Sequence, residues 1–147
     1  MPYDQRSELP SRPTPQGRYA AATATDALVL TAGMTPRVEG VLQHVGRVGL
    51  EVSLDDAKAA AAIAVSNALS AASTEVGSLD GIARALRLVV FVNAAEGFTQ
   101  HSLVADAASE RLVEVLGDRG MVVRTAVGVA SLPGGACLEV ELTCLRA

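Results

Sequence analysis

Large aromatic side chains are scarce in this sequence of 147 residues, which has no Trp, two Tyr and two Phe. Proteins that bind single-stranded nucleic acids stack bases on aromatic rings, and most nucleic-acid binders carry a basic stripe. This chain has no visible basic stripe, and its formal net charge is -4. The composition therefore predicts that nucleic acid is not a partner.

Long uncharged apolar runs are also missing, although a membrane-spanning helix needs about 20 consecutive apolar residues. We therefore expect no membrane partner, and the first residues lack the apolar core of a secretory signal. Only two cysteines occur, Cys137 and Cys144. Their odd spacing on one predicted strand points them to opposite faces, so they should not pair with each other. These features predict a cytoplasmic protein.

Small apolar residues dominate what is present: half of the chain is hydrophobic, mostly alanine, valine and leucine. This is enough for one domain with a sizeable core. Four prolines in residues 1–17 predict an extended N-terminal segment, followed by a single domain over residues 18–147. Because small side chains fill the core of a monomer poorly, the composition favours several subunits that share an interior.

The order of predicted elements is β-β-(β)-α-β-α-β-β. One helix begins after its cap at Ser53 and runs to about Glu75, and a second begins at Thr99 or Ser102 and ends near Leu116. Strands are predicted over 18–25, 27–32, 83–93, 122–130 and 137–145, with a short strand or ordered loop over 41–48. The order predicts an α+β fold, a mixed sheet with two helices packed on one face.

A lone arginine, Arg124, interrupts an apolar strand near the C terminus. Burying an unpaired guanidinium costs several kcal/mol, so Arg124 is either paired inside the protein or open to an anion. Side-chain alternation predicts that the valines of this strand pack on the helices and that Arg124 lies on an open face of small residues.

The last two strands, if they form a hairpin, place Glu139 on the same face as Arg124. Their backbones are then separated by roughly 13 Å. This geometry disfavours a simple salt bridge within the hairpin. The two side chains could still converge, or could meet across a subunit boundary.

Three motifs of the sequence are similar to motifs of one known protein family. They are Gly17-Arg-Tyr19, Leu30-Thr-Ala32-Gly33-Met-Thr-Pro36, and Arg124-Thr-x-Val-x-Val-Ala-x-Leu-Pro133 with Glu139 fifteen residues after Arg124. They resemble the YjgF/RidA family of reactive-intermediate deaminases. The resemblance implies a chorismate-mutase-like fold, assembled as a homotrimer with clefts between subunits. It also implies hydrolysis of reactive enamines and imines to 2-keto acids and ammonia, with no metal or organic cofactor.

The same resemblance assigns roles to individual residues. Arg124 would bind the carboxylate of a small-molecule substrate, and Glu139 would activate the attacking water as a general base. Tyr19 would line the pocket and Gly33 would offer its backbone N–H. Ala32 stands beside Gly33 where the family pattern has serine, so a hydroxyl is lost there.

Two other functions are compatible with the sequence. One is a non-catalytic trimer that binds 2-keto acids, and the other is a pathway-specific step on a reactive nitrogen intermediate. A ribonuclease role is disfavoured by the acidic balance and the few aromatic residues. His44 and His101 are too isolated in the sequence to form a metal site or a catalytic triad.

Overall fold

The computed structural model describes residues 8–147, and the first seven residues of the predicted N-terminal segment lie outside the described range. Its main element is a five-stranded sheet covered on one face by two helices. The strands are β1 (Ala22–Ala24), β2 (Leu28–Thr31), β5 (Ile82–Asn93), β6 (Val123–Val129) and β7 (Leu138–Arg146), and a separate two-stranded ribbon contains β3 (Arg37–Val38) and β4 (Val41–Leu42). The helices are α1 (Leu54–Glu75) and α2 (His101–Leu116). The predicted α+β arrangement with two helices on a sheet is confirmed.

The strand order is β1-β2-β7-β5-β6, so β7 lies between β2 and β5. β5 and β6 are parallel, whereas β7 is antiparallel to both of its neighbours. The predicted hairpin of the last two strands is therefore wrong. The α2 crossover places β6 on one side of β5, and the long β5 needs a partner on its other side to satisfy its backbone groups. β7 is that partner.

Helix α1 follows the sequence prediction closely. The Ser53 hydroxyl accepts a hydrogen bond from the Asp56 N–H at 3.1 Å, and the helix ends just before Gly77, which has a φ of 98°. The buried side of the helix is mostly alanine, and these small side chains allow α1 to lie close to both α2 and β7. Within residues 8–147, no helix is long and apolar enough to cross a membrane.

At β6, the face of the strand that packs on the helices is not the predicted one. Its valines do not pack on the helices: Val123 is 66% exposed and Val127 is 39% exposed. The opposite face of the strand, which carries Arg124, is the one that faces α2. The prediction failed because α2 presents polar side chains rather than apolar ones to this edge of the sheet.

The remaining segments surround the α1 side of the sheet. Residues 8–20 have no regular secondary structure and run past α1, where the Ser70 hydroxyl donates to the Pro10 carbonyl at 2.7 Å. Of the possible strand over 41–48, only Val41–Leu42 is a strand, paired with Arg37–Val38. Glu39 and Gly40 form the turn between them with φ values of 50° and 81°.

The two cysteine thiols are expected to be chemically inert in the folded protein. Both are buried and free, and burial raises the pKa of Cys137 to about 11 and that of Cys144 to about 12. Because the thiolate is the reactive form, labelling by a disulfide reagent near neutral pH should be at least about 100-fold slower than for an exposed cysteine. In denaturant, both cysteines of the unfolded protein should react rapidly, so two equivalents of reagent should be consumed per chain. Fast labelling of the native protein would contradict the burial.

Candidate functional site

A cavity of about 430 Å³ opens beside the start of β7. Three parts of the chain line it: the segment before β1, the loop that follows β2, and the region around the start of β7. Four of the predicted site residues meet there, namely Tyr19, Ala32, Gly33 and Glu139. The other lining residues are Gln16, Thr35, Arg37 and Pro133. The structure therefore brings together most of the residues selected from the sequence motifs.

Gly33 and Glu139 are in direct contact in this cavity. The Met34 N–H donates to the Val140 carbonyl at 2.7 Å, and the Val140 N–H donates to the Met34 carbonyl at 2.9 Å. These bonds hold the loop after β2 against β7. A methyl group built on Gly33 would lie 2.7 Å from both Cδ and Oε1 of Glu139. Only the absence of a side chain at position 33 allows the carboxyl group to occupy its position.

Burial raises the pKa of Glu139, and the negative charge of Glu141 raises it further. No arginine, lysine or histidine of residues 8–147 forms an ion pair with Glu139 within 4.0 Å. A partly desolvated carboxylate without a counter-ion is a better proton acceptor than an exposed one. Glu139 therefore has the environment that a general base requires.

Tyr19 lies at the rim of the cavity and is half exposed. Its hydroxyl oxygen accepts a hydrogen bond from the Gln16 N–H at 3.1 Å. A methyl group on Gly17 would meet the Tyr19 ring at 3.1 Å, so the glycine of the Gly17-Arg-Tyr motif allows the ring to pack closely against the backbone. The ring is thus fixed by the segment that precedes β1.

Arg124 is not in this cavity. Its Nη1 donates to the Asp106 carboxylate at 2.8 Å and to the Ser109 hydroxyl at 3.0 Å, and its Nη2 donates to the Ser102 hydroxyl at 2.9 Å. Arg124 is therefore paired inside the protein, one of the two possibilities that the sequence left open. Asp106 and the two serines follow the spacing i, i+4, i+7 and form one polar stripe on α2. That stripe is the signal by which the sequence could have revealed the pairing.

The expectation that Arg124 and Glu139 share a face of the sheet is also wrong. Arg124 is paired with Leu88 of β5, and Glu139 is paired with Phe91. Directly paired residues share a face, and positions 88 and 91 on one strand point to opposite faces. Within one chain the guanidinium and the carboxylate therefore lie on opposite sides of the sheet.

A cation that the sequence motifs did not single out lies in the cavity instead. Arg37 lines it on the side of the β3–β4 turn, and its Nη1 donates to the Gly40 carbonyl at 2.9 Å. Its position directly after Pro36, at the end of the glycine-containing loop motif, was the available signal. Residues 8–147 contain no group of three or more His, Cys, Asp or Glu side chains that could hold a metal ion.

A two-layer α+β domain with a polar cavity beside the central strand β7 defines the structural class. The chain belongs to the YjgF/chorismate mutase-like, putative endoribonuclease family, whose model matches residues 5–142. Protein TCP17 from Trypanosoma cruzi is 32% identical over 135 residues, which cover 91% of this chain and 84% of that protein. The predicted family is confirmed.

Solved structures agree with this family. The Atu1372 protein from Agrobacterium tumefaciens, of unknown function, superposes with a TM-score of 0.86 at 31% identity, covering 88% of this chain and 82% of that one. A putative endoribonuclease from Shewanella oneidensis superposes with a TM-score of 0.89 at 25% identity, covering 94% and 91%. The chorismate-mutase-like α+β fold expected from the sequence is thus the fold of the chain.

Replacing Gly33 by alanine should displace the Glu139 carboxyl group. Gly33 is not in the left-handed region, so alanine fits the backbone and the methyl group acts only through the contact. The flexible end of Glu139 can move into solvent, so the free energy of unfolding should change by less than about 1 kcal/mol. The pKa of Glu139, followed by NMR titration, should fall towards its ordinary value. An unchanged pKa would show that the two groups are not in contact.

A matched control uses the Glu139→Ala background. There the methyl group of Gly33→Ala meets no carboxyl group, so the added substitution should leave thermal stability unchanged. A large loss of stability in this background would mean that Gly33 is required for the backbone rather than for Glu139.

Proposed function

We propose that this protein hydrolyses reactive enamines and imines to 2-keto acids and ammonia. The observation that supports it best is the contact of the unpaired Glu139 carboxyl with Gly33 in a cavity also lined by Tyr19. Membership of the YjgF family supports the same reaction class through the motif resemblance. The proposed reaction needs no metal or organic cofactor.

The chemistry requires little from the protein. An imine carbon is already electrophilic, so the protein must position a water molecule and accept one of its protons. Glu139 takes that proton while the water oxygen bonds to the carbon of the protonated imine, and the C=N π electrons pass to nitrogen to give an amine. Glu139 then returns the proton to the amine, the C–N bond breaks with release of ammonia, and the hydroxyl loses its proton to Glu139 as the keto group forms. The raised pKa of Glu139 suits both steps, because it makes the carboxylate a better proton acceptor than an ordinary glutamate while the group can still return the proton.

The role of Arg124 as a carboxylate clamp depends on a neighbouring chain. Arg124 lies on β6, the edge strand of the sheet, and its side chain is 20% exposed despite the bond to Asp106. The uncovered face of the sheet exposes apolar side chains, including Leu30, Val123 and Val127. Exposed apolar patches of this kind mark interaction sites. Assembly as a homotrimer would cover them and would bring Arg124 of one chain towards Glu139 of the next.

A second candidate, retention of 2-keto acids without turnover, is favoured by one observation. Ala32 contributes a methyl group to the cavity where the family pattern has a serine hydroxyl. A protein of this kind would bind pyruvate but would not accelerate ammonia release. The acidic net charge gives no support to a role on RNA.

Glu139→Gln should lower the rate of ammonia release, above the uncatalysed background, by about 100-fold or more, because a general base typically contributes that factor. The substrate is a 2-imino acid generated in the assay by an amino-acid oxidase. In the unsubstituted protein the rate should fall as the pH decreases through the raised pKa of Glu139, since only the carboxylate accepts a proton. Equal rates with and without the protein would reject the hydrolase and leave the binding candidate.

The matched control is Glu141→Gln. The charge of Glu141 helps to raise the pKa of Glu139. Its removal should keep the activity and move the acidic limb of the pH profile to lower pH. An acidic limb that does not move would show that a group other than Glu139 causes the loss of activity at low pH.

Subunit complementation tests the proposed cleft between chains. Arg124→Ala and Glu139→Gln should each be inactive alone, but co-refolding them in equal amounts should restore about a quarter of the activity, because random assembly gives that share of intact sites. Mixing Glu139→Gln with the double variant Arg124→Ala/Glu139→Gln gives the background. Full activity of Arg124→Ala alone would remove Arg124 from the site. Light scattering of the unsubstituted protein should give three times the chain mass of 15.1 kDa.

A further inference from the structure

Arg37 is held in place from its backbone. The Asn67 side-chain amide donates to the Thr35 carbonyl at 3.1 Å and to the Arg37 carbonyl at 3.0 Å. Asn67 belongs to α1 and is only 5% exposed, although its neighbours on the buried side of the helix are mostly alanine. A buried amide in an apolar helix face requires partners, and this one donates to two carbonyls of the segment from Thr35 to Arg37. Asn67 is thus a positioning residue for Arg37.

The guanidinium of Arg37 is incompletely satisfied. Nη1 is bound to the Gly40 carbonyl, but Nε is buried and has no hydrogen-bond partner among residues 8–147. No carboxylate of this part of the chain lies within 4.0 Å of it. Nε and Nη2 form the edge of a guanidinium that binds a carboxylate with two parallel hydrogen bonds. This edge has no acceptor among the described residues 8–147, and buried donors are rarely left unmatched.

Nη2 points towards the turn before β7. A methyl group on Gly134 would lie 3.8 Å from Nη2, and the adjacent Pro133 lines the cavity together with Arg37 and Glu139. Arg37 and Glu139 are not paired with each other, as no ion pair joins them. The cavity therefore contains one positive and one negative group that are kept apart, with space for a small molecule between them.

Arg124 provides the internal comparison. Both arginines lie on strands, but the Arg124 side chain is bound by Asp106 and two serines, whereas within residues 8–147 the Arg37 side chain donates only to the Gly40 carbonyl. An anion that bound to Arg124 would have to compete with Asp106. An anion at Arg37 would compete with no carboxylate of residues 8–147 and would gain a charge-assisted hydrogen bond.

We propose that Arg37 binds the carboxylate of the small-molecule ligand from the same chain that supplies Glu139, together with the Arg124 that a neighbouring chain would contribute, and so determines specificity for 2-keto and 2-imino acids over their neutral analogues. This inference rests on the proposed function for the identity of the ligand as a 2-oxo or 2-imino acid. The binding step itself needs no turnover, so it can be measured even if hydrolysis is absent.

The test measures the Kd of pyruvate and of its neutral amide, pyruvamide, by isothermal titration calorimetry. The unsubstituted protein should bind pyruvate more tightly than pyruvamide. Arg37→Gln should weaken the binding of pyruvate by about 10- to 100-fold and leave the binding of pyruvamide nearly unchanged, as expected for the loss of a hydrogen-bonded charge. Arg146→Gln, which removes an exposed arginine outside the cavity, should leave both Kd values unchanged. An equal loss of affinity for both ligands, or no loss of affinity for pyruvate, would overturn the proposal.

A conservative variant and a direct signal cover the case in which Arg37→Gln folds poorly. Arg37→Lys keeps the charge and loses the paired donors, so pyruvate should bind with an intermediate Kd. In the unsubstituted protein, the Nε–H resonance of Arg37 should shift on addition of pyruvate and not on addition of pyruvamide. An Nε–H resonance that does not shift when pyruvate is added would show that Arg37 does not contact the ligand.

Complementation separates this inference from the proposed function. Arg37→Gln and Glu139→Gln alter the same chain of each site, so mixing them should restore no activity above that of the separate variants. Restored activity would place Arg37 and Glu139 in the site from different chains. Absence of ammonia release by the unsubstituted protein, with Arg37-dependent pyruvate binding intact, would reject the hydrolase and leave the role of Arg37 standing.

Discussion

The pair of backbone hydrogen bonds between Met34 and Val140 is the constraint on which the candidate site depends. It fixes the loop after β2 against the central strand β7, and with it the contact of Gly33 and the Glu139 carboxyl group. The same loop continues directly into Pro36 and Arg37. One short bridge therefore sets the positions of the carboxylate and, a few residues later, of the guanidinium. Because both groups are anchored through backbone, their separation does not depend on a salt bridge between them.

The regular elements could be predicted from the sequence because their signals are local. Ser53 and Gly77 set the ends of α1, and alternating apolar residues mark β5 and β7. The pairing of β7 with β2 and β5 could not be predicted in the same way, since it joins segments that are distant in the sequence, more than a hundred residues apart in the case of β2. The short turn at Pro133 looked like a hairpin turn, whereas the helical crossover between β5 and β6 already made those two strands parallel neighbours. Global topology overruled the local turn signal.

The site shows the same division. Tyr19, Ala32, Gly33 and Glu139 were selected from the motifs because each belongs to a short segment with a distinctive glycine or proline, and all four line one cavity. The motifs did not reveal that Arg124 faces α2, since side-chain alternation gives two faces without saying which one a helix covers. Nor did they reveal Arg37, whose proposed role follows from the hydrogen-bond partners that its side chain lacks among residues 8–147. Unsatisfied hydrogen-bonding capacity is a property of the folded structure and leaves little trace in composition or spacing.

The alanine-rich buried side of α1 has a consequence for how this fold tolerates change. Alanine has no side-chain rotamers to lose on burial, so packing α1 against the sheet carries a small conformational-entropy penalty. The same property leaves the interface without flexible side chains that could rearrange around a larger neighbour. Larger side chains are therefore expected to be tolerated better on the outer surface of this helix than on its buried side, and the residues that line the Glu139 cavity all lie outside α1.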